Sequence, residues 1–158
     1  MSAYLAVIGG DPAPDDLLKV AEEVGSAIAE RGAYLVCGGL GGVMEAACRG
    51  AKAAGGTTIG ILPTSDRAHA NAYVDVALPT GMGEMRNALI IRCADAVIAI
   101  GGAFGTLSEI GFGLKTGKPV VGIAAWELSK QGTFSDAMLR ADDARSAVDA
   151  ALKASGAV

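Results

Sequence analysis

Charge, aromatic rings and histidine are all scarce in this 158-residue chain. Charged residues make up 19%, aromatic ones 4%, and His69 is the one histidine. A net charge of −4 and a pI near 4.9 leave no basic footprint for a phosphodiester backbone, so long nucleic acid is excluded as a partner. One histidine and three scattered cysteines, Cys37, Cys48 and Cys93, form no CxxC pair and no cluster, so no metal site is expected. The cysteines read as reduced, mostly buried small apolar residues. A serine or cysteine triad is equally excluded, because His69 would be its only base and sits in a polar loop. There is no basic segment followed by a long apolar run at the start: residues 4–10 are short and lead straight to Asp11 and Pro12. Neither export nor membrane insertion is therefore expected, and the location reads as cytoplasmic.

What is abundant is small and apolar. Hydrophobic residues reach 51% and glycines number 23, against three Phe and one Trp, so the core must be built from Ala, Val, Ile and Leu packed closely. The length suits one domain over residues 1–158. A mean hydropathy of +0.41 is high for a small monomer, and burial of apolar surface between subunits, a homo-oligomer, is expected.

Short apolar runs alternate with amphipathic segments along the whole chain, the pattern of repeated βα units. Strands are expected at residues 3–8, 33–37, 57–62, 95–100 and 120–124, with a further one at 73–78 that Asp75 interrupts. In the first helix Leu17, Ala21, Val24 and Ile28 share one face, and Gly32 ends it. A second helix turns Val43, Ala47, Gly50, Ala51 and Ala54 inward. Others are expected over 84–94 and from the 101–106 turn to about Thr116. The tail holds a weak edge strand at 134–139 and a last helix capped by Asp142 or Asp143, with Ala144, Ala147, Val148, Ala151 and Leu152 inside. The fold class is α/β: a three-layer Rossmann-like arrangement of a mostly parallel central sheet flanked by helices.

In such a sheet, ligands settle where βα turns meet at the carboxyl ends of the strands. Two glycine-rich turns, Gly38-Gly39-Leu40-Gly41-Gly42 and Gly101-Gly102-Ala103-Phe104-Gly105, fall there, each opening a helix. A phosphate needs bare amides at hydrogen-bond distance, and the helix start adds the positive end of its dipole. The plainer explanation, glycines that only permit tight turns or close packing, stands beside this one. Neither turn is a Walker loop or a GxGxxG fingerprint, which disfavours ATPase activity and conventional NAD use. Thr106 adds a hydroxyl, and Glu109 follows three residues later on the same face, although Thr-x-x-Glu is also a helix-start capping box. Arg86, after the 80–83 loop, is placed to reach the same cleft or to pair on the surface; Asn87 either binds a ligand or caps its helix. Arg92 and Glu84 read as solvated.

The segments Gly38-Gly39-x-Gly41-Gly42-Val43-Met44-Glu45, Gly83-Glu84-Met85-Arg86-Asn87 and Gly102-x-x-Gly105-Thr106-x-x-Glu109, in this order, resemble the Lonely Guy (LOG) superfamily, once labelled lysine decarboxylase-like. The resemblance extends from the first strand to about Ile123. Its phosphoribohydrolases cleave the N-glycosidic bond of cytokinin nucleoside 5′-monophosphates without a cofactor. The resemblance implies that Arg86 binds or polarises the ligand, that Glu109 holds ribose hydroxyls and stabilises an oxocarbenium-like sugar, and that Gly105 and Thr106 receive the phosphate. Glu84 and Asn87 stand where those enzymes have His and Lys, and Gly101 where they have proline. These departures are similar to a branch containing the molybdenum-cofactor carriers, which hold a pterin phosphate without turnover. A third relative, the DNA-processing protein A family, binds single-stranded DNA, a role the acidic balance opposes. A pyridoxal-phosphate decarboxylase would need a Schiff-base lysine, and neither glycine motif contains one. Two readings stay open: a hydrolase of nucleoside monophosphates, and a non-catalytic carrier or sensor of a nucleotide or pterin phosphate, with the molybdenum cofactor as a carried ligand.

Overall fold

The structure, a computed structural model, describes residues 1–157. The strands are β1 (Tyr4–Gly9), β2 (Tyr34–Cys37), β3 (Thr58–Leu62), β4 (Val76–Pro79), β5 (Ala96–Ile100), β6 (Val120–Ile123), β7 (Ser129–Lys130), β8 (Thr133–Phe134) and β9 (Leu139–Arg140). The helices are α1 (Asp15–Glu30), α2 (Val43–Ala53), α3 (Asn87–Cys93), α4 (Phe104–Lys115) and α5 (Ala144–Ser155), with 3-10 turns at Arg67–His69 and Gly83–Arg86. Seven strands form one parallel sheet in the order β4-β3-β2-β1-β5-β6-β9, and β7 and β8 form a separate antiparallel hairpin. This is the expected three-layer, Rossmann-like α/β architecture.

The sequence reads as continuous apolar runs because both faces of the sheet are covered. Leu5 and Val7 of β1, with Ala96, Ile98 and Ile100 of β5, face a core shared with α1, α2 and α5. The alternate residues Ala6, Ile8, Val97 and Ala99 face the opposite core, with Ile90, Ile91 and Ile110 from α3 and α4. Helices α1 and α2 cross so closely that a Cβ at Gly25 would lie 1.9 Å from the Ala47 carbonyl oxygen.

Several expectations are corrected. The strand drawn at 73–78 begins only at Val76, because Asp75 is used as a bracket: its Oδ2 accepts from the Thr58 amide at 3.0 Å and its Oδ1 from Lys52 at 2.6 Å. The single edge strand at 134–139 is two elements. Gln131 (φ 52°) and Gly132 (φ 79°) make a tight turn that pairs Thr133 and Phe134 back onto Ser129 and Lys130, and Leu139 then joins β6 in parallel. The helix at 84–94 is a 3-10 turn followed by α3. Ala54 is exposed rather than inward-facing, and Cys93, unlike Cys37 and Cys48, is exposed. Asp143 is the cap of α5, its carboxylate accepting from the Ser146 amide at 2.9 Å, and all five residues expected inside that helix are buried. No helix among the described residues is long and apolar enough to cross a membrane.

Candidate functional site

The chain winds outward from β1 in one direction through β2, β3 and β4, and from β5 in the other through β6 and β9. The βα connections after β1 and β5 therefore part company, leaving a crevice at their carboxyl ends. A cleft of about 350 Å³ lies there, lined among others by Gly10, Asp11, Arg86, Gly105, Thr106 and Glu109.

Of α1, α2 and α4, which begin at this edge, α4 is the one suited to an anion. The first turn of α1 carries Asp15 and Asp16, and that of α2 carries Glu45. The Val43 amide of α2 is moreover spent on the Gly10 carbonyl at 3.0 Å. The first turn of α4 holds no acid, and its Ala103 cap makes no side-chain hydrogen bond. Among the described residues, the amides of Phe104, Gly105 and Thr106 have no protein acceptor, whereas Leu107 donates to Ala103 O at 3.0 Å. Three open donors at the positive end of a helix dipole form an anion cradle.

Thr106 is the third residue of α4, not its cap, so the capping-box explanation of Thr106 and Glu109 does not apply. Glu109 instead faces the cleft, only 8% exposed, and makes neither a hydrogen bond nor an ion pair among the described residues. Burial raises its carboxyl to about 7, against the opposing pull of the Arg86 charge. It is therefore poised between neutral donor and anion near physiological pH.

Arg86 ends the 3-10 turn and is 7% exposed. Its Nε donates to Ile61 O at 2.7 Å, one terminal nitrogen to Gly38 O at 3.2 Å, and the other to Asn87 Oδ1. The guanidinium thus ties the ends of β2 and β3 to the start of α3. Burial lowers its proton affinity, while Glu109 works in the opposite sense. Arg86 gives the cleft its positive charge; each of its three nitrogens donates once to a protein oxygen, which leaves one N–H on each terminal nitrogen. Asn87, which also lines the cleft, serves as one of those acceptors.

The two glycine bends differ. Gly38 lines the cleft, and a Cβ there would lie 2.6 Å from an Arg86 nitrogen. Gly39, Gly41 and Gly42 do not line it: added Cβ atoms would meet Leu62 at 2.7 Å, the Asp11 carboxylate at 2.9 Å and Gly10 O at 2.3 Å, respectively. Gly105 lines the cleft with open space above it, while Gly101 and Gly102 line an adjoining hollow. His69 is exposed in its turn and lies outside the cleft lining. Sequence reasoning did not single out the Gly9-Gly10-Asp11 bend, Leu40, Met44, Pro63 or Ala103; Glu84 is exposed, as expected, and also lines the cleft. Nothing local marks Gly9 and Gly10, because the signal that matters, β1 at the centre of the sheet, is a property of topology.

This chain belongs to the SLOG cluster4 family, whose family model matches residues 2–152. That places it in the superfamily of the Lonely Guy proteins and the molybdenum-cofactor carriers. It is 36% identical over 125 residues to a cytokinin riboside 5′-monophosphate phosphoribohydrolase of Mycobacterium tuberculosis, covering 73% of this chain and 66% of that one. Among solved structures it is similar to the molybdenum cofactor binding protein of Rippkaea orientalis, with a TM-score of 0.83, 33% identity and 94% of each chain covered. It is also similar to the molybdenum cofactor carrier protein of Chlamydomonas reinhardtii, with a TM-score of 0.81, 30% identity, and 97% and 98% of the two chains covered.

Proposed function

We propose that this protein binds the phosphate of a small heterocyclic ligand, a nucleotide or pterin monophosphate, in the cleft between β1 and β5, and retains it rather than breaking it down. The observation that carries this reading is the first turn of α4, with three uncommitted amides and no acid, beside the unpartnered carboxyl of Glu109. The cleft volume falls in the usual range for small-molecule sites, about 300–1,000 Å³. Asp11, Glu84 and Glu109 on its walls offer acceptors to the N–H groups of an aminopyrimidine edge, and the α4 amides take the phosphate. These residues fit the pterin and phosphate of a molybdenum cofactor carried as cargo. Retention is supported by Arg86, whose three nitrogens are all anchored to protein oxygens so that the side chain is held in place, and by the likeness over nearly the whole chain to carrier proteins.

Hydrolysis is the second reading, favoured by a buried carboxyl with a pKa of about 7 and by the phosphoribohydrolase relative. Ionised Glu109 would steady positive charge on the sugar as the C1′–N bond breaks. Its electron pair leaves with the base, water adds to C1′, and a proton passes to the departing base, giving free base and ribose 5-phosphate.

The test incubates the pure protein with AMP, GMP, CMP, an N6-substituted adenosine monophosphate and molybdopterin, and follows both release of free base and ligand retained after desalting. Pterin held without turnover is the expected result. Base release that disappears in Glu109→Ala would replace it with the hydrolase, and a protein that neither retains nor cleaves any of them would refute both.

A further inference from the structure

Across the start of α4 from the cleft lies a second hollow of about 710 Å³, walled by the 10–14 bend, the Gly101-Gly102 turn and residues 124–127. Gly10, Asp11 and Ala103 belong to both, so the two hollows meet over one strip of main chain next to the free α4 amides. We propose that this second hollow is a binding lobe for a second aromatic ring, and that the ligand class is dinucleotide-like: two ring systems joined by a pyrophosphate laid on α4. The inference rests on the phosphate reading of the first cleft.

Two features mark the hollow as built. Trp126, the chain's one tryptophan, lines it and is pinned by its own donor, Nε1 giving a hydrogen bond to Ala103 O at 3.2 Å. Phe104 lies against the indole with ring centroids 5.6 Å apart and is 78% exposed. In a chain with so few aromatic rings, a pinned, half-buried indole on the wall of this hollow, with Phe104 against it outside the lining, is a stacking surface for a flat heterocycle. The second feature is backbone strain. Ala124, on the same wall, has φ 46°, a conformation unfavourable for a residue with a Cβ, and it faces Gly101 and Gly102 at φ 54° and 103°. Such strain in a pocket wall persists where the surrounding structure enforces it.

The missing GxGxxG fingerprint is consistent with this. The usual dinucleotide site seats its pyrophosphate on the helix after the first strand. Here that helix opens with Asp15 and Asp16, which repel it, and the free amides belong to α4 instead.

Trp126 supplies its own probe, since intrinsic fluorescence reports this lobe alone. Titration with diadenosine and diguanosine diphosphates, against AMP and GMP, should show the dinucleotides quenching Trp126 and binding at least about tenfold tighter, the gain expected of one stacked base. By calorimetry, Trp126→Leu should abolish that advantage while leaving mononucleotide affinity unchanged, and Trp126→Phe should keep most of it. Equal affinity of both classes with unaltered emission would overturn the second lobe and leave the phosphate site standing. Emission that changes with protein concentration alone would make the hollow a contact between copies, which also overturns the proposal. Failure of every nucleotide to bind would overturn it too, while the first cleft would still be judged by molybdopterin retention.

Discussion

The glycine-rich bends after β2 and β5 are alike in composition and opposite in use. The first is closed: Gly42, at φ 60°, sits against Gly10 O, Gly41 against Asp11, and Gly39 against Leu62. Its glycines let one connection nest against another. The second is open at Gly105, and among the described residues the amides of Phe104, Gly105 and Thr106 are free of protein acceptors. Glycine content alone therefore says little about ligands; what distinguishes the bends is whether another segment of the chain already occupies the space.

Substitution can break this contrast. The largest effect is expected for Gly42→Ala, where a Cβ would meet a backbone oxygen in a left-handed conformation. A loss of roughly 2–5 kcal/mol is expected in urea unfolding. Arg86→Met comes next: it strands Ile61 O and Gly38 O, and a loss of roughly 2–4 kcal/mol is expected by the same measurement.

Glu109→Gln sharpens the comparison from the other side. A carboxyl raised to about 7 in the folded protein stabilises it when protonated, and that stability drains away as pH rises from the unfolded value of 4.5 through about 7. The glutamine variant should show no such decline and should exceed the wild type by roughly 1–3 kcal/mol above pH 8. Retention of an anionic ligand should fall above pH 7 in the wild type, where Glu109 is charged, and stay level in the variant. The smallest change in stability belongs to Gly105→Ala. In helical backbone with nothing near the new methyl, it should gain about 0.5–1 kcal/mol. The methyl enters the cleft, however, so phosphate-ligand retention should drop about tenfold or more, the scale of one lost hydrogen bond to an anion.

Much of the fold was legible because it is written in short-range patterns. Buried parallel strands need unbroken apolar runs, and α5 needs Asp143 followed by apolar residues at helical spacing; both features are local. The tail misled because Phe134 and Leu139 look like one apolar segment, while the turn at Gln131-Gly132 assigns them to different sheets. At the site, Arg86 and Glu109 stood out as charged residues beside glycine motifs, and both line the cleft. Asp11 and Glu84 did not: both are exposed, as acids beside a proline or at a helix start are expected to be, and only the fold brings them to the cleft.

The order of apolar runs, glycine turns and helical faces, read from residues alone, was enough to determine a helix-covered parallel sheet, because each strand and helix answers to its neighbours in sequence. Which bend stays open, that Arg86 is tied to the main-chain oxygens of Ile61 and Gly38, and that Glu109 is left unpartnered were decided only in three dimensions. Those outcomes depend on segments tens of residues apart competing for the same space and the same hydrogen bonds.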